Sequence, residues 1–579
     1  MSEELLPESI EDIKSHFKIA AGPGAGKTTW LVGHINNVLT HSDVLNKMQK
    51  IACITYTRVA ADTIERKINE KTYTKRLDVG TIHSFLYRNV VKPFAYLISE
   101  DENGDMLFNI KELNGHTDNN PSIDRISSWV NKVGNKFYYL CKKEYIGKTI
   151  DVLKSFKWLL SDGTVNAKVK NNDKDFQFPS SKIYEFKLTN WQQGVMDHED
   201  VLYFTYVIFN KNPRAAKLLS QKYPFIFIDE FQDTTPLQTW IMNKIAENGS
   251  TIGVIGDSAQ SIYGFTGAKR SDFIEFSLDG LKCYFKPNNY RSSKKIIKFL
   301  NSLRNDLKQI SNQDTPEGVS VTVIVGNVRD AADYIKQTSE NYVILCRSNS
   351  EVVHINNNIS IGANENLIRD LYVDDNAIDR VRFINSILIA YDCLLNGHRK
   401  DAIREIKKHF KDSGDGFTKR LIAIRILEYI KQQKDMPLND IFSELNNMLK
   451  SKYRLKGFTS LNKVKEIHKK RFIEFLPYVA KQFDLASKVR TIHQAKGDEF
   501  ECVMVCFSDK GNLKLETSLD KYLFSAKKNI NEDNKDGEEA RLRYVAFSRA
   551  KKHLYIQVPR CEENEKEKFQ TLGLEIKYL

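Results

Sequence analysis

The stretch Ala21-Gly22-Pro23-Gly24-Ala25-Gly26-Lys27-Thr28 has the residue types and spacing to hold a nucleoside triphosphate. Glycines let backbone N–H groups turn inward around phosphates, and the helix that follows adds the partial positive charge of its N-terminus. Lys27 is spaced to reach the β- and γ-phosphates, and the Thr28 hydroxyl to ligate Mg²⁺. Gly22, Pro23, Gly24, Ala25, Gly26 and Thr29 complete the cradle. The strict pattern opens with glycine, and Ala21 stands there instead. Farther along, residues 223–228 form an almost unbroken apolar run that ends in Asp229-Glu230. A strand buried on both faces reads this way. At its tip Asp229 is placed to hold Mg²⁺ and Glu230 to orient or deprotonate an attacking water. The next apolar run, 251–257, leads to Gln260, whose amide is placed to sense a γ-phosphate.

These groups need a sheet behind them. Residues 17–20 read as the strand before the glycine loop, 50–57 as a second strand feeding a helix at 59–66, and 77–85 as a further unit of that kind. In such sheets ligands sit at the carboxyl ends of strands, which puts Thr55, Thr57, Thr81 and His83 near a phosphate or sugar. Capping of strand ends is the alternative use of the same residues. From about 101 to 189 the alternation fades into a polar, helical segment that carries Trp129, Phe137, Phe156 and Trp158 beside Lys142, Lys143 and Lys157. Such a set either stacks on a single strand or fills a core. Residues 166–175 read as a surface loop. Strands are expected again at 321–325 and 342–347. The stretch 361–485 turns helical, with Ile378, Val381, Ile384, Leu388, Tyr391 and Leu395 on one face. Its basic runs, 450–456 and 469–471, suit duplex phosphates or a solvated surface. After Arg549 a strand at 553–558 and a charged tail are expected.

A chain of 579 residues, 41% hydrophobic and 28% charged, reads as a multidomain globular protein. No apolar run is long enough to span a bilayer, and the acidic start is unlike a signal peptide, so a cytoplasmic protein without membrane contact is expected. The net charge of +13 suits a polyanion or a lysine-rich solvated surface. Eight scattered cysteines with no CxxC pair argue against disulfides and against a zinc cluster.

Taken together the blocks resemble the UvrD/Rep/PcrA helicases of superfamily 1. Asp229-Glu230-Phe231-Gln232-Asp233 is similar to the family's DExQD box, and 256–268 to its GDxxQSIYxxxGA motif. Asn289-Tyr290-Arg291-Ser292 is similar to NYRS, 491–500 to TxHxxKGLEF, and 538–550 to EExRLxYVxxTRA. The resemblance implies an α/β fold of two RecA-like parallel-sheet motor domains, each with a mainly helical insertion. The expected boundaries are 1–98 and 196–277 for the first motor domain around an insertion at 99–195. For the second they are 278–360 and 486–579 around an insertion at 361–485. It also implies that Tyr290 stacks on adenine, Glu499 binds ribose, Arg291 and Arg549 touch the γ-phosphate, and Gln260 links that phosphate to a nucleic-acid track. The track would include Thr57, Arg58, Thr81, His83, Tyr263, Phe265 and His493.

The implied activity is an ATP- and Mg²⁺-dependent motor moving 3′ to 5′ on single-stranded DNA and opening tailed duplexes. The rival reading is a nucleic-acid-sensing ATPase subunit that switches a partner nuclease. Compact relatives occur in phage-defence systems of the Gabija type beside OLD-family nucleases, and both insertions here are short for the family. A purely structural DNA-binding role is a third and weaker option, against which the full catalytic set argues. Arg58 replaces the usual Asn of the TxTN motif, and Phe265-Thr266 the usual Trp-Arg. Residues 8–20 contain none of the glutamines by which the family reads adenine, which leaves strict preference for ATP over GTP open.

Overall fold

The computed structural model describes residues 4–579 except 8, 9, 11, 57, 70–75, 102, 114, 118, 120, 122, 143, 172, 174, 349, 350, 353, 354, 356–366, 376, 396–398, 411–415, 450–453, 456, 459–462, 477–487 and 508–513. It divides into two units, 1–325 with 492–579, and 326–491.

The apolar runs become the central strands of the first unit. Strands β1 (Glu4–Leu5), β2 (Phe17–Ala21), β3 (Ile51–Thr55) and β4 (Leu77–Thr81) come first. An antiparallel hairpin follows, β5 (Lys157–Ser161) with β6 (Thr164–Lys168). Then β7 (Phe225–Ile228), β8 (Thr251–Gly256) and β9 (Lys282–Lys286) complete a parallel sheet in the order β1-β9-β2-β8-β7-β3-β4. β3, β7 and β8 are buried at every position, as parallel strands covered on both faces must be.

Between β4 and β7 the chain is mainly helical, with helices at Ile123–Val133, Ile146–Lys154, Ile183–Gln192, His198–Lys211 and Arg214–Lys222. Of the aromatic set, Trp129, Phe156 and Trp158 are buried in one hydrophobic core, so burial of apolar area decides their use. The expected loop at 166–175 needs correction. Residues 166–168 end β6, because Val165 and Ala167 alternate with polar neighbours and pack against that core.

After β9 the short strand β10 (Asn288–Asn289) pairs in parallel with β11 (Ile310–Ser311), around the helix Lys294–Ser302. β12 (Thr322–Val325) follows. The second unit holds a parallel pair, β13 (Tyr342–Cys346) with β14 (Val489–Thr491), and a helical core. In its helix Ile378–Leu395 the expected face is buried at Val381, Ile384, Leu388 and Tyr391, whereas Leu395 at the helix end is 61% exposed. The basic run at 450–456 lies largely outside the described residues.

The chain returns to the first unit with β15 (Phe500–Cys506) and β16 (Ala550–Val558), which pack beside β12 and β17 (Glu575–Tyr578) as parallel strands in the order β15-β16-β12-β17. The charged tail is thus more than a tail. It forms a helix, Glu563–Thr571, and an edge strand, because Phe569 and Leu574 supply buried anchors between its charges. Among the described residues no helix is long and apolar enough to cross a membrane.

Candidate functional site

β2 delivers the chain to the glycine loop at Ala21 in extended backbone, so alanine serves where the strict pattern has glycine. Gly24 and Gly26 do need to be glycine, with φ of 71° and 74°. Gly26 precedes the helix Lys27–His41, whose first turn carries no acid, so its N–H groups remain available to an anion. Pro23 and Ala25 are buried in the loop, Thr28 is half-buried and Thr29 is exposed.

Lys27 Nζ stands 3.5 Å from Glu230 Oε1. Burial alone would lower the ammonium pKa, but Glu230, Asp229 and Asp257 hold it above its usual value. Asp229, just past β7, is anchored by its N–H donating to Ile54 O at 2.9 Å. Glu230 takes a left-handed conformation, φ 56°, a strain of about 1–3 kcal/mol that persists where the surroundings hold it in place. Here they do: Glu230 N donates to Asp229 Oδ1 at 3.0 Å, and Gln232 Nε2 donates to Glu230 Oε2 at 2.5 Å. Burial, then the Glu230 carboxylate, push Asp229 up to about 6. Burial acts on Glu230 too, but Lys27, Lys496 and the Gln232 amide hold it down at about 2. Paired acids driven apart in this way suit different roles.

The second sheet brings the remaining cations. Gln260 Nε2 donates to Asp257 Oδ2 at 2.8 Å, and Arg549 Nη2 donates to Gln260 Oε1 at 3.0 Å. Arg549 is buried, which together with the Arg291 guanidinium lowers it to about 9 and leaves it a cation at neutral pH. Arg291 pairs with Glu499 at 2.9 Å and donates to Ser548 O at 3.0 Å. Glu499, the expected ribose ligand, is also paired with Lys551 at 2.8 Å. Tyr290 is 61% exposed beside the loop. Its N–H donates to Gly24 O at 2.9 Å, and its ring would meet a Cβ on Gly26 at 3.8 Å. The glycine loop, the two acids, Gln260, Tyr290 and both arginines therefore converge within one unit.

An aromatic cluster lies beyond Gln260. Tyr263 stacks on Tyr56 with centroids 4.6 Å apart, and Phe265 and His493 meet edge-on at 5.7 Å. Phe265 leaves 58% of its surface exposed, so its ring is open to solvent beside Tyr263 and His493. Thr81 and His83 are placed differently. The Thr81 hydroxyl caps the helix Ile82–Leu86, accepting from Ser84 N at 3.4 Å. The His83 ring packs against His198 at 5.3 Å, and burial lowers it to about 3. Thr55 is buried at the end of β3. Thr57 and the Arg58 side chain lie outside the described residues.

Sequence reasoning gave no role to Lys496, which joins Asp233 to Gln260: its Nζ sits 2.5 Å from Asp233 Oδ2 and 2.9 Å from Gln260 O. Its place three residues after His493 was the available signal. Tyr56, Asp257 and Gln309 were also passed over.

Comparison with known proteins fits this geometry. The model described as UvrD/REP helicase N-terminal domain matches residues 4–279, and the UvrD-like helicase C-terminal domain matches 463–560. The probable DNA helicase II homolog of Rickettsia felis is 24% identical over 95% of this chain and 91% of its own length. ATP-dependent DNA helicase PcrA of Staphylococcus epidermidis is 24% identical over 95% of this chain and 82% of its own. Gabija protein GajB of Bacillus cereus is 28% identical over 55% of this chain and 51% of its own length. With both family domains matched in order and their motif residues gathered around one phosphate loop, the chain belongs to the UvrD-like helicases of superfamily 1.

Proposed function

We propose that the chain is an ATP-dependent motor that translocates 3′ to 5′ on single-stranded DNA and separates tailed duplexes. The meeting of Lys27, Glu230, Gln260 and Arg549 in one charged cluster carries this reading. Lys27 and the loop N–H groups hold the triphosphate. Glu230, kept ionised, takes the proton of the attacking water, and Arg291 and Arg549 offset charge growing on the transferred phosphoryl group. Thr28 and Asp229 supply hard oxygen donors suited to Mg²⁺, and a cation beside Asp229 would relieve the burial and repulsion that raise it. Tyr290 offers a face to the base. Tyr263, Phe265 and His493 offer the strand a sequence-tolerant stacking surface, with Thr57 and Arg58 in the same track by their place in the motif. The domain boundaries given above and a cytoplasmic setting belong to the same reading. A nucleic-acid-sensing ATPase that switches a partner nuclease is the second reading, favoured by the likeness to Gabija protein GajB.

Purified protein with ATP, Mg²⁺ and DNA tests the reading. Hydrolysis stimulated by single strands, with unwinding of a 3′-tailed duplex, is the expected result. Absence of DNA-stimulated hydrolysis would sink it, and hydrolysis without unwinding favours the switch. Phe265→Ala should cut DNA stimulation about tenfold, equivalent to ~1.4 kcal/mol, within the range for one lost stack. Basal hydrolysis should stay within about twofold. Equal loss of both would count against a stacking role.

A further inference from the structure

The phosphate loop is gripped from behind by a buried amide. Gln309, just before β11, is 2% exposed and donates from Nε2 to Pro23 O at 2.8 Å. Its Oε1 accepts from Asn289 Nδ2 at 3.2 Å. The Asn289 side chain, fully buried, in turn accepts from Arg291 N at 2.9 Å and Ser292 N at 3.0 Å. Two amides thus run unbroken from the loop carbonyl to the backbone that carries Tyr290 and Arg291. The glycines of the loop are shaped to this contact. A Cβ on Gly22 would come within 2.5 Å of Gln309 Nε2, and one on Gly24 within 2.5 Å of Asn289 Oδ1. At its far end Gln309 is fixed by two bonds with Asn301, each 2.8 Å. Five residues earlier Arg304, also buried, pairs with Asp257 at 3.0 Å, and Asp257 holds Gln260. One short segment therefore grips both elements expected to read the γ-phosphate.

We infer that Gln309 is a positioning residue for hydrolysis, which transmits the shape of the phosphate loop through Asn289 to Arg291. A satisfied buried amide pair holds its geometry because leaving either member unpaired costs the desolvation of a polar group. Without Gln309 the Asn289 Nδ2 loses its acceptor, and the carboxamide that accepts from Arg291 N and Ser292 N is no longer held in that orientation. The loop keeps its second tether, Tyr290 N to Gly24 O, so the cradle for the inner phosphates survives.

The inference rests on the ATPase reading above, and wild-type protein that does not hydrolyse ATP would refute that reading first. Given wild-type turnover, Gln309→Leu should lower kcat for ATP about tenfold or more while ADP affinity of the folded protein stays within about twofold, alongside the lower unfolding midpoint that two stranded polar groups entail. Gln309→Glu keeps the acceptor for Asn289 but faces Pro23 O with a carboxylate. Its turnover should recover as pH falls towards about 6, where a buried carboxyl regains a proton and can donate. Wild-type kcat in Gln309→Leu, or an ADP affinity that falls as far as kcat, would overturn the inference, as would a Gln309→Glu profile parallel to wild type.

Discussion

Two lysines in the first unit each sit between a pair of carboxylates, and the difference between them separates the proposed phosphate site from a structural trio. Lys187 is fully buried and bonds both Asp197 and, at 2.9 Å, Asp200, with its ammonium 4.1 Å from the centre of the Phe156 ring. All four carboxylate oxygens there are matched, since the two acids also cap the helix His198–Lys211 through each other's N–H groups and Trp158 Nε1 donates to Asp200. Lys27 stands 3.5 Å from its acid, beyond good hydrogen-bond length. Next to it lie a strained Glu230 and open loop amides. In both trios one acid is pushed up to about 6, chiefly by burial and then by its partner acid, and the other is held low by the lysine. Perturbed titration alone therefore does not mark the working site. Unfinished bonding beside open loop amides is what supports the proposal for Lys27.

Three measurements would break or sharpen that contrast. Lys27→Ala should lower ATP turnover at least about a thousandfold, ~4 kcal/mol of transition-state stabilisation, with an unfolding midpoint close to wild type. Retained hydrolysis would refute the site. Lys187→Met should do the reverse. It strands two buried carboxylates, a loss of about 3–5 kcal/mol of stability in denaturant unfolding, while folded molecules turn over normally. A variant as stable as wild type would show that the trio is not a structural brace. The smallest effect is on pH. Below about 6 Asp229 gains a proton and with it loses the charge needed to hold a cation, so kcat/KM should fall about tenfold per pH unit. A profile flat to about pH 5 would remove Asp229 from that role.

The phosphate loop was legible because its chemistry is contiguous: one turn must supply amides, lysine and hydroxyl within eight residues. β3, β7 and β8 were legible for a related reason, since strands covered on both faces leave few positions polar. The lysine trio was not legible. Lys187 is one lysine in a largely buried helix of mixed composition, and ten residues separate it from Asp197, whose visible pattern is only a helix cap. β17 was hidden because an edge strand of mixed composition carries little periodic signal. Phe265 could be read either way until its exposure distinguished a surface from a core.

Residue type and spacing by themselves determined the glycine turn with its lysine and hydroxyl, the acids at the tip of β7 and the order of the family's blocks. These are local requirements, met within a turn or a strand. Tertiary structure alone decided that Arg549 reaches Gln260 across 289 residues, that Gln309 stands behind Pro23 across 286, and that the trio at Lys187 is closed while that at Lys27 is open. Such contacts depend on where two sheets place their ends, and no short-range pattern in the chain encodes a distance of that kind.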